Sequence, residues 1–192
     1  MVNKLRDYYK LIKNNVPLVL ALAVIFLLAC GGQDTKNNVE RPKIDLLTAV
    51  ATANIDVIEQ HIEYGTDINA VFVKTQDWKG AGALHIAAIS PKNAETVTLF
   101  KAVIDVLLSG GADIDIEAKN RDGSTPLGWA AYFGKLDMVE FLVDKGANLN
   151  KPDKNGYTPL DATITSPFMG SELNRSAITK FLKDKGAKTG DR

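Results

Sequence analysis

Hydrophobic and polar residues divide this chain into three regimes. Residues Val16 to Ala29 form an unbroken apolar run of fourteen positions, preceded by the basic stretch MVNKLRDYYKLIKNN. Residues 31–41, GGQDTKNNVER, carry no apolar periodicity and predict a flexible tether with an r.m.s. span of about 18 Å. From Pro42 onward apolar residues recur at three- and four-residue steps, most clearly at Leu136, Val139, Leu142 and Val143. That spacing predicts helices that bury one face.

The helical part is self-similar. YGTDINA (64–70), GGADIDI (110–116), KGANLNK (145–151) and KGAKTG (185–190) each close a stretch of helical periodicity, and DGSTPLGWAAYFG (122–134) and NGYTPLDATIT (155–165) open two of them, with GAGALHIAAIS (80–90) a looser copy. Thr125 and Thr158 are 33 residues apart, a period that marks a repeat architecture. Within the unit, Thr125 suits an N-cap and Pro126 the first helical position, where no N–H donor is needed. Ala130 and Ala131 are small enough to let helices approach closely. Gly146 suits the left-handed residue that follows a helix. One such unit cannot cover its own apolar stripe, so units must stack.

These residues resemble the ankyrin repeat, whose unit is a turn, a TPLH-type helix start, a short helix, a second helix and a GADVN-type exit. The resemblance implies an all-α solenoid of about four helix-turn-helix units joined by short β-hairpin turns, over approximately 44–73, 77–118, 120–151 and 153–188 within a domain spanning 42–192. The first unit lacks the TPLH turn and has Asn54 where a glycine is usual between the helices, so it is expected to be an N-terminal cap. The lysine-rich KDKGAKTGDR is expected to be the outer face of a C-terminal cap. Units two and four carry insertions between their helices, near 90–102 and 166–176, opening with Ser90-Pro91 and Ser166-Pro167. In unit two, Asn93 is placed to cap a second helix lengthened by about two turns, Ala94 to Ser109.

At the N-terminus, Lys4, Arg6, Lys10 and Lys13 against Asp7, followed by the apolar run, predict a cleaved signal peptide over 1–29. Fourteen residues of helix reach about 21 Å, short of the roughly 30 Å hydrocarbon core. Leu27-Leu28-Ala29-Cys30-Gly31-Gly32 resembles the bacterial lipobox, with Leu28 bulkier than the residue usual at that place. The resemblance implies that Cys30 is acylated and becomes the first residue of a mature lipoprotein, and that Gly31, by the enteric sorting convention, directs it to the outer membrane. It would face the periplasm or the cell surface.

Composition narrows the chemistry. Cys30 is the only cysteine, which leaves no intramolecular disulfide and no thiolate metal cluster. Residues 30–192 hold 19 basic and 22 acidic side chains, a net charge of about −3, which argues against nucleic acid as a partner. No GxSxG, HExxH, P-loop or GxGxxG motif occurs, and the two histidines, His61 and His85, read as structural. No catalytic residue, metal ligand or cofactor is assigned, and a monomer is expected. Lys135, Asp137, Glu140, Asp144 and Lys145 read as a solvated face, Trp129 as core, and Asp67, Asp113 and Asp115 as turn-forming residues.

By its resemblance to ankyrin domains the chain is expected to bind another protein with its hairpin tips and the exposed face of its first helices. Carried over by position, the tips supply Trp78, Lys79, Ala81, Arg121, Asp122, Ser124, Lys154, Asn155 and Tyr157, and the helices Ile89, Tyr132 and Phe133. Trp, Tyr and Arg are the residue types most enriched at interface hot spots. The reading is a membrane-anchored adaptor or inhibitor. The alternatives are an envelope enzyme with its site in the insertions, and a surface lipoprotein that binds host proteins.

Overall fold

The computed structural model describes residues 39–71, 80–167 and 172–190, with the side chains of residues 172 and 173 excepted. Cys30, the signal segment, most of the tether, Trp78, Lys79 and the centre of the second insertion lie outside the described residues.

Among the described residues there are eight α-helices and no β-strand. They form consecutive pairs: α1 (Leu46–Ala51) with α2 (Ile55–Tyr64), α3 (Ala83–Ile89) with α4 (Ala94–Ser109), α5 (Pro126–Tyr132) with α6 (Leu136–Asp144), and α7 (Pro159–Thr165) with α8 (Glu172–Asp184). First helices pack on first helices, α1 on α3, α3 on α5 and α5 on α7, while α2, α4, α6 and α8 form a second row behind them. The result is a two-layer, all-α repeat solenoid.

Local chemistry starts most of these helices. Asp45, Asn54, Asn93, Thr125 and Thr158 each accept a backbone N–H from the first turn of the helix that follows, satisfying a donor that otherwise has no partner. Asn93 caps a sixteen-residue α4 spanning Ala94–Ser109, as its sequence predicts, against nine residues in α6. At the first inter-helix turn the expected register is off by one. Ala53, not Asn54, holds the left-handed conformation (φ +53°) that Gly134 adopts in the third pair (φ +68°). Asn54 instead caps α2, accepting from the Val57 N–H at 3.3 Å.

The core follows the period. Leu46, Ile58, Leu84, Ile104, Leu107, Leu127, Met138, Leu142, Leu160, Ile178 and Leu182 are at most 2% exposed. Of the stripe read from α6, Val139 and Leu142 are fully buried, while Leu136 and Val143 pack against the core partly covered. Ala49, Ala87, Ala88, Ala130 and Ala131 are all buried, which brings the first helices into close contact.

Polar ladders tie each unit to the next. In the exit loops the Asn69 side chain accepts from the Asp113 N–H (2.8 Å), Asp115 from the Asn148 N–H (2.9 Å) and Asn150 from the Lys188 N–H (2.7 Å). The first residues of these loops, Asp67, Asp113 and Asn148, each accept the N–H two residues ahead, which is the turn-forming role expected of such side chains. Asp115 differs from expectation, since its carboxylate is spent on the next unit. On the opposite edge, the Lys135 ammonium donates to the Pro91 carbonyl at 2.7 Å and the Ser166 hydroxyl donates to the Tyr132 carbonyl. Lys135 is therefore not an ordinary solvated lysine: it is partly buried, and desolvation holds its pKa below the usual value.

Candidate protein-binding groove

The hairpin turns are built by side chains that imitate backbone. Asn120 accepts from the Asp122 and Gly123 N–H groups (3.1 and 2.7 Å), and Asp153, 33 positions later, accepts from the Asn155 and Tyr157 N–H groups (2.8 and 3.0 Å). Successive turns are then joined edge to edge, Lys119 N–H to Gly80 carbonyl (2.7 Å) and Lys154 N–H to Asp122 carbonyl (2.8 Å). Gly80 is indispensable to this stacking, because it has φ +75° and a Cβ there would lie 2.3 Å from the Lys119 carbonyl carbon.

Between the turns and the first helices of the third and fourth pairs lies a groove of about 460 Å³. Trp129, Tyr132, Phe133 and Tyr157 supply its aromatic surface, Ile89 and Ala162 its aliphatic part, and Asn120, Asp122, Ser124, Lys151, Asp153 and Asn155 the polar wall. The rings meet edge to face, with Trp129 and Phe133 centroids 6.3 Å apart and Tyr132 and Phe133 5.3 Å apart, an arrangement favoured by the ring quadrupoles.

The sequence-predicted residues divide into three groups. Ile89, Asp122, Ser124, Tyr132, Phe133, Asn155 and Tyr157 are brought together in the groove. Arg121 and Lys154 are exposed at the turn tips but do not line it, and the Lys154 ammonium is held by the Asn120 carbonyl at 3.1 Å. Ala81 is a correction. It is fully buried, because its neighbour Gly80 is pressed against the next turn, and it has no surface to offer a partner. Trp129 is a correction in the other direction: it is only partly buried and lines the groove, not the core. Its counterpart 33 residues on is Ala162, too small to cover the indole. The same offset pairs Asp153 with Asn120, so these two wall residues were legible as equivalent turn positions.

Both histidines brace the fold. His85 Nδ1 accepts the Gly82 N–H (3.2 Å), so Nε2 carries the proton and donates to the Ser124 carbonyl of the next unit (2.9 Å). Burial pushes its pKa down to about 4. His61 joins the Ile44 carbonyl (2.8 Å) and the Thr66 hydroxyl (2.9 Å). In the fourth unit Asp161 stands where His85 stands in the second. Fully buried, it accepts from the Thr158 N–H and hydroxyl and from the Gly190 N–H (3.0, 2.9 and 2.7 Å). Among the described residues no group of three or more His, Cys, Asp or Glu side chains is placed to hold a metal ion.

Paired helices, a 33-residue offset, TPL helix starts and hairpin turns joined edge to edge recur together through the described residues. Residues 100–192 match the family model described as ankyrin repeats (3 copies). The chain carries ankyrin repeats. Among curated proteins it is similar to the E3 ubiquitin-protein ligase Ufd4 of Drosophila melanogaster, with 34% identity over 46% of this chain and 3% of the ligase. It is similar to the inhibitor of Bruton tyrosine kinase of Xenopus laevis, with 36% identity over 63% of this chain and 8% of that protein. The putative ankyrin repeat protein FPV230 of fowlpox virus is 27% identical over 86% of this chain and 95% of its own length. This chain thus spans only a small part of the ligase and of the kinase inhibitor. What is shared is the repeat fold, generally a scaffold for protein interaction and not a catalytic one, so the ankyrin repeats imply binding to another protein.

Proposed function

We propose that the chain is a lipid-anchored scaffold of a bacterial envelope, an adaptor or inhibitor that holds a protein partner against the Trp129 groove. The observation that carries the reading is the groove itself: four aromatic side chains and six polar ones converge on one concavity between rigidly stacked turns. Aromatic anchors surrounded by polar groups are the usual make-up of a binding hot spot. Support for the anchor comes from the sequence, in the basic start, the apolar run and Cys30. Among the described residues no helix is long and apolar enough to cross a membrane, so membrane attachment is assigned to lipid on Cys30.

Two measurements test the two halves. Metabolic labelling with a palmitate analogue, followed by cell fractionation, should label the wild-type chain and find it with membranes, while Cys30→Ala is unlabelled and soluble. A Cys30→Ala chain that stays in the membrane fraction overturns the lipid anchor. For the groove, affinity capture from envelope extracts of the source cells should enrich a protein that is lost with Trp129→Leu and with Tyr132→Ala, in variants whose helical circular dichroism is unchanged. Capture that survives both substitutions places the interface elsewhere.

A further inference from the structure

Resting on the reading of this groove as the interface, we infer that it takes an extended segment of its partner and selects it by a basic side chain, arginine before lysine. Size limits the occupant. One helical turn with its side chains fills roughly 500 Å³ at a rise of about 5.4 Å and a diameter of about 11 Å, more than the groove's 460 Å³. A strand or loop with one inserted side chain fits; a helix lying in it does not.

Charge and ring chemistry then choose the side chain. Two carboxylates, Asp122 and Asp153, stand in the wall beside Trp129, Tyr132 and Tyr157, and among the described residues neither forms an ion pair. Asp153 is fixed in place, with Oδ1 accepting from the Asn155 and Tyr157 N–H groups and Oδ2 from the Ser124 hydroxyl at 3.3 Å. The cations nearby are engaged. Lys151, the one basic residue lining the groove, pairs with Glu117 at 3.1 Å and donates to the Asp115 carbonyl at 2.8 Å, and Lys154 is held by Asn120. A guanidinium stacks on an aromatic face and bonds a carboxylate through two parallel N–H groups, whereas an ammonium offers only a point charge. An aromatic surface flanked by fixed carboxylates is complementary to the first.

The test is selection of random twelve-residue peptides displayed on phage against the full chain in detergent, then titration of the best synthetic peptide by fluorescence anisotropy. Arginine should be enriched at one position, and replacing it by citrulline, which keeps the shape and removes the charge, should weaken binding about tenfold. In the shape-conserving variant Asp122→Asn/Asp153→Asn the same replacement should cost less than about twofold. Arginine peptides indifferent to that variant overturn the role of the carboxylates. Selected peptides without a basic residue that are nevertheless lost with Trp129→Leu keep the groove and overturn the cation. Peptides that ignore Trp129→Leu, or a selection that enriches nothing, overturn the groove itself.

Discussion

Acid should loosen this fold through His85. The imidazole is fully buried between the second and third units, and burial holds its pKa at about 4 against 6.5 for the free side chain. Because the folded value lies below the unfolded one, the folded chain refuses a proton that the unfolded chain accepts. The stability this group contributes is complete above pH 6.5, falls as pH drops toward 4 and is gone below it. The whole difference amounts to about 3 kcal/mol, of which about 2 kcal/mol is lost between pH 7 and pH 5. Protonation also converts Nδ1 from acceptor to donor, setting it against the Gly82 N–H it now accepts. Urea denaturation of wild type and His85→Gln across pH 7 to 5 isolates the effect, since the carboxylates common to both proteins cancel in the difference. Wild type starts more stable, and its advantage should shrink by about 2 kcal/mol. A constant difference, or imidazole resonances of His85 that titrate near 6.5, would refute the reasoning.

Three further substitutions probe the packing. Gly80→Ala places a Cβ 2.3 and 2.4 Å from backbone atoms of Lys119 and Asn120, whereas at Gly111, also left-handed at φ +90°, nothing lies within 4 Å. Gly80→Ala should thus cost about 3 kcal/mol or more and Gly111→Ala about 1 kcal/mol in urea unfolding; equal costs would mean that the turns are not in contact. Ala53→Gly relieves a left-handed alanine at a smaller cost in chain entropy, so the melting temperature should rise by about 1–2 °C, and a fall would show that the turn is not strained. Lys135→Met removes the donor to the Pro91 carbonyl and should destabilise by about 1–2 kcal/mol, with Asp137→Ala, on the exposed face of the same helix, as a near-neutral control in the same thermal melts.

Much of this was legible because the determinants are local. A Thr or Asn before an apolar period caps a helix wherever it falls, so Asn93 and the start of α4 could be read directly. The one-residue error at Asn54 has an equally local origin. Asparagine both caps helices and tolerates the left-handed conformation, and only the accepted Val57 N–H shows which of the two it does here.

Burial at the joints was not legible in the same way. Whether Trp129 is core or surface depends on how much the facing unit presents to it, and Ala162 presents little; whether Ala81 is surface depends on how closely the next turn approaches Gly80. A side chain's exposure is a property of two units, while the pattern along the chain describes one. The sequence by itself therefore determined the repeat, its period, its helix pairs and most of their caps, since these follow from bonds within a few residues. The tertiary structure alone decided that seven of the predicted binding residues share one groove with Trp129 and Asp153, because stacking turns a linear offset of 33 residues into neighbours across a joint.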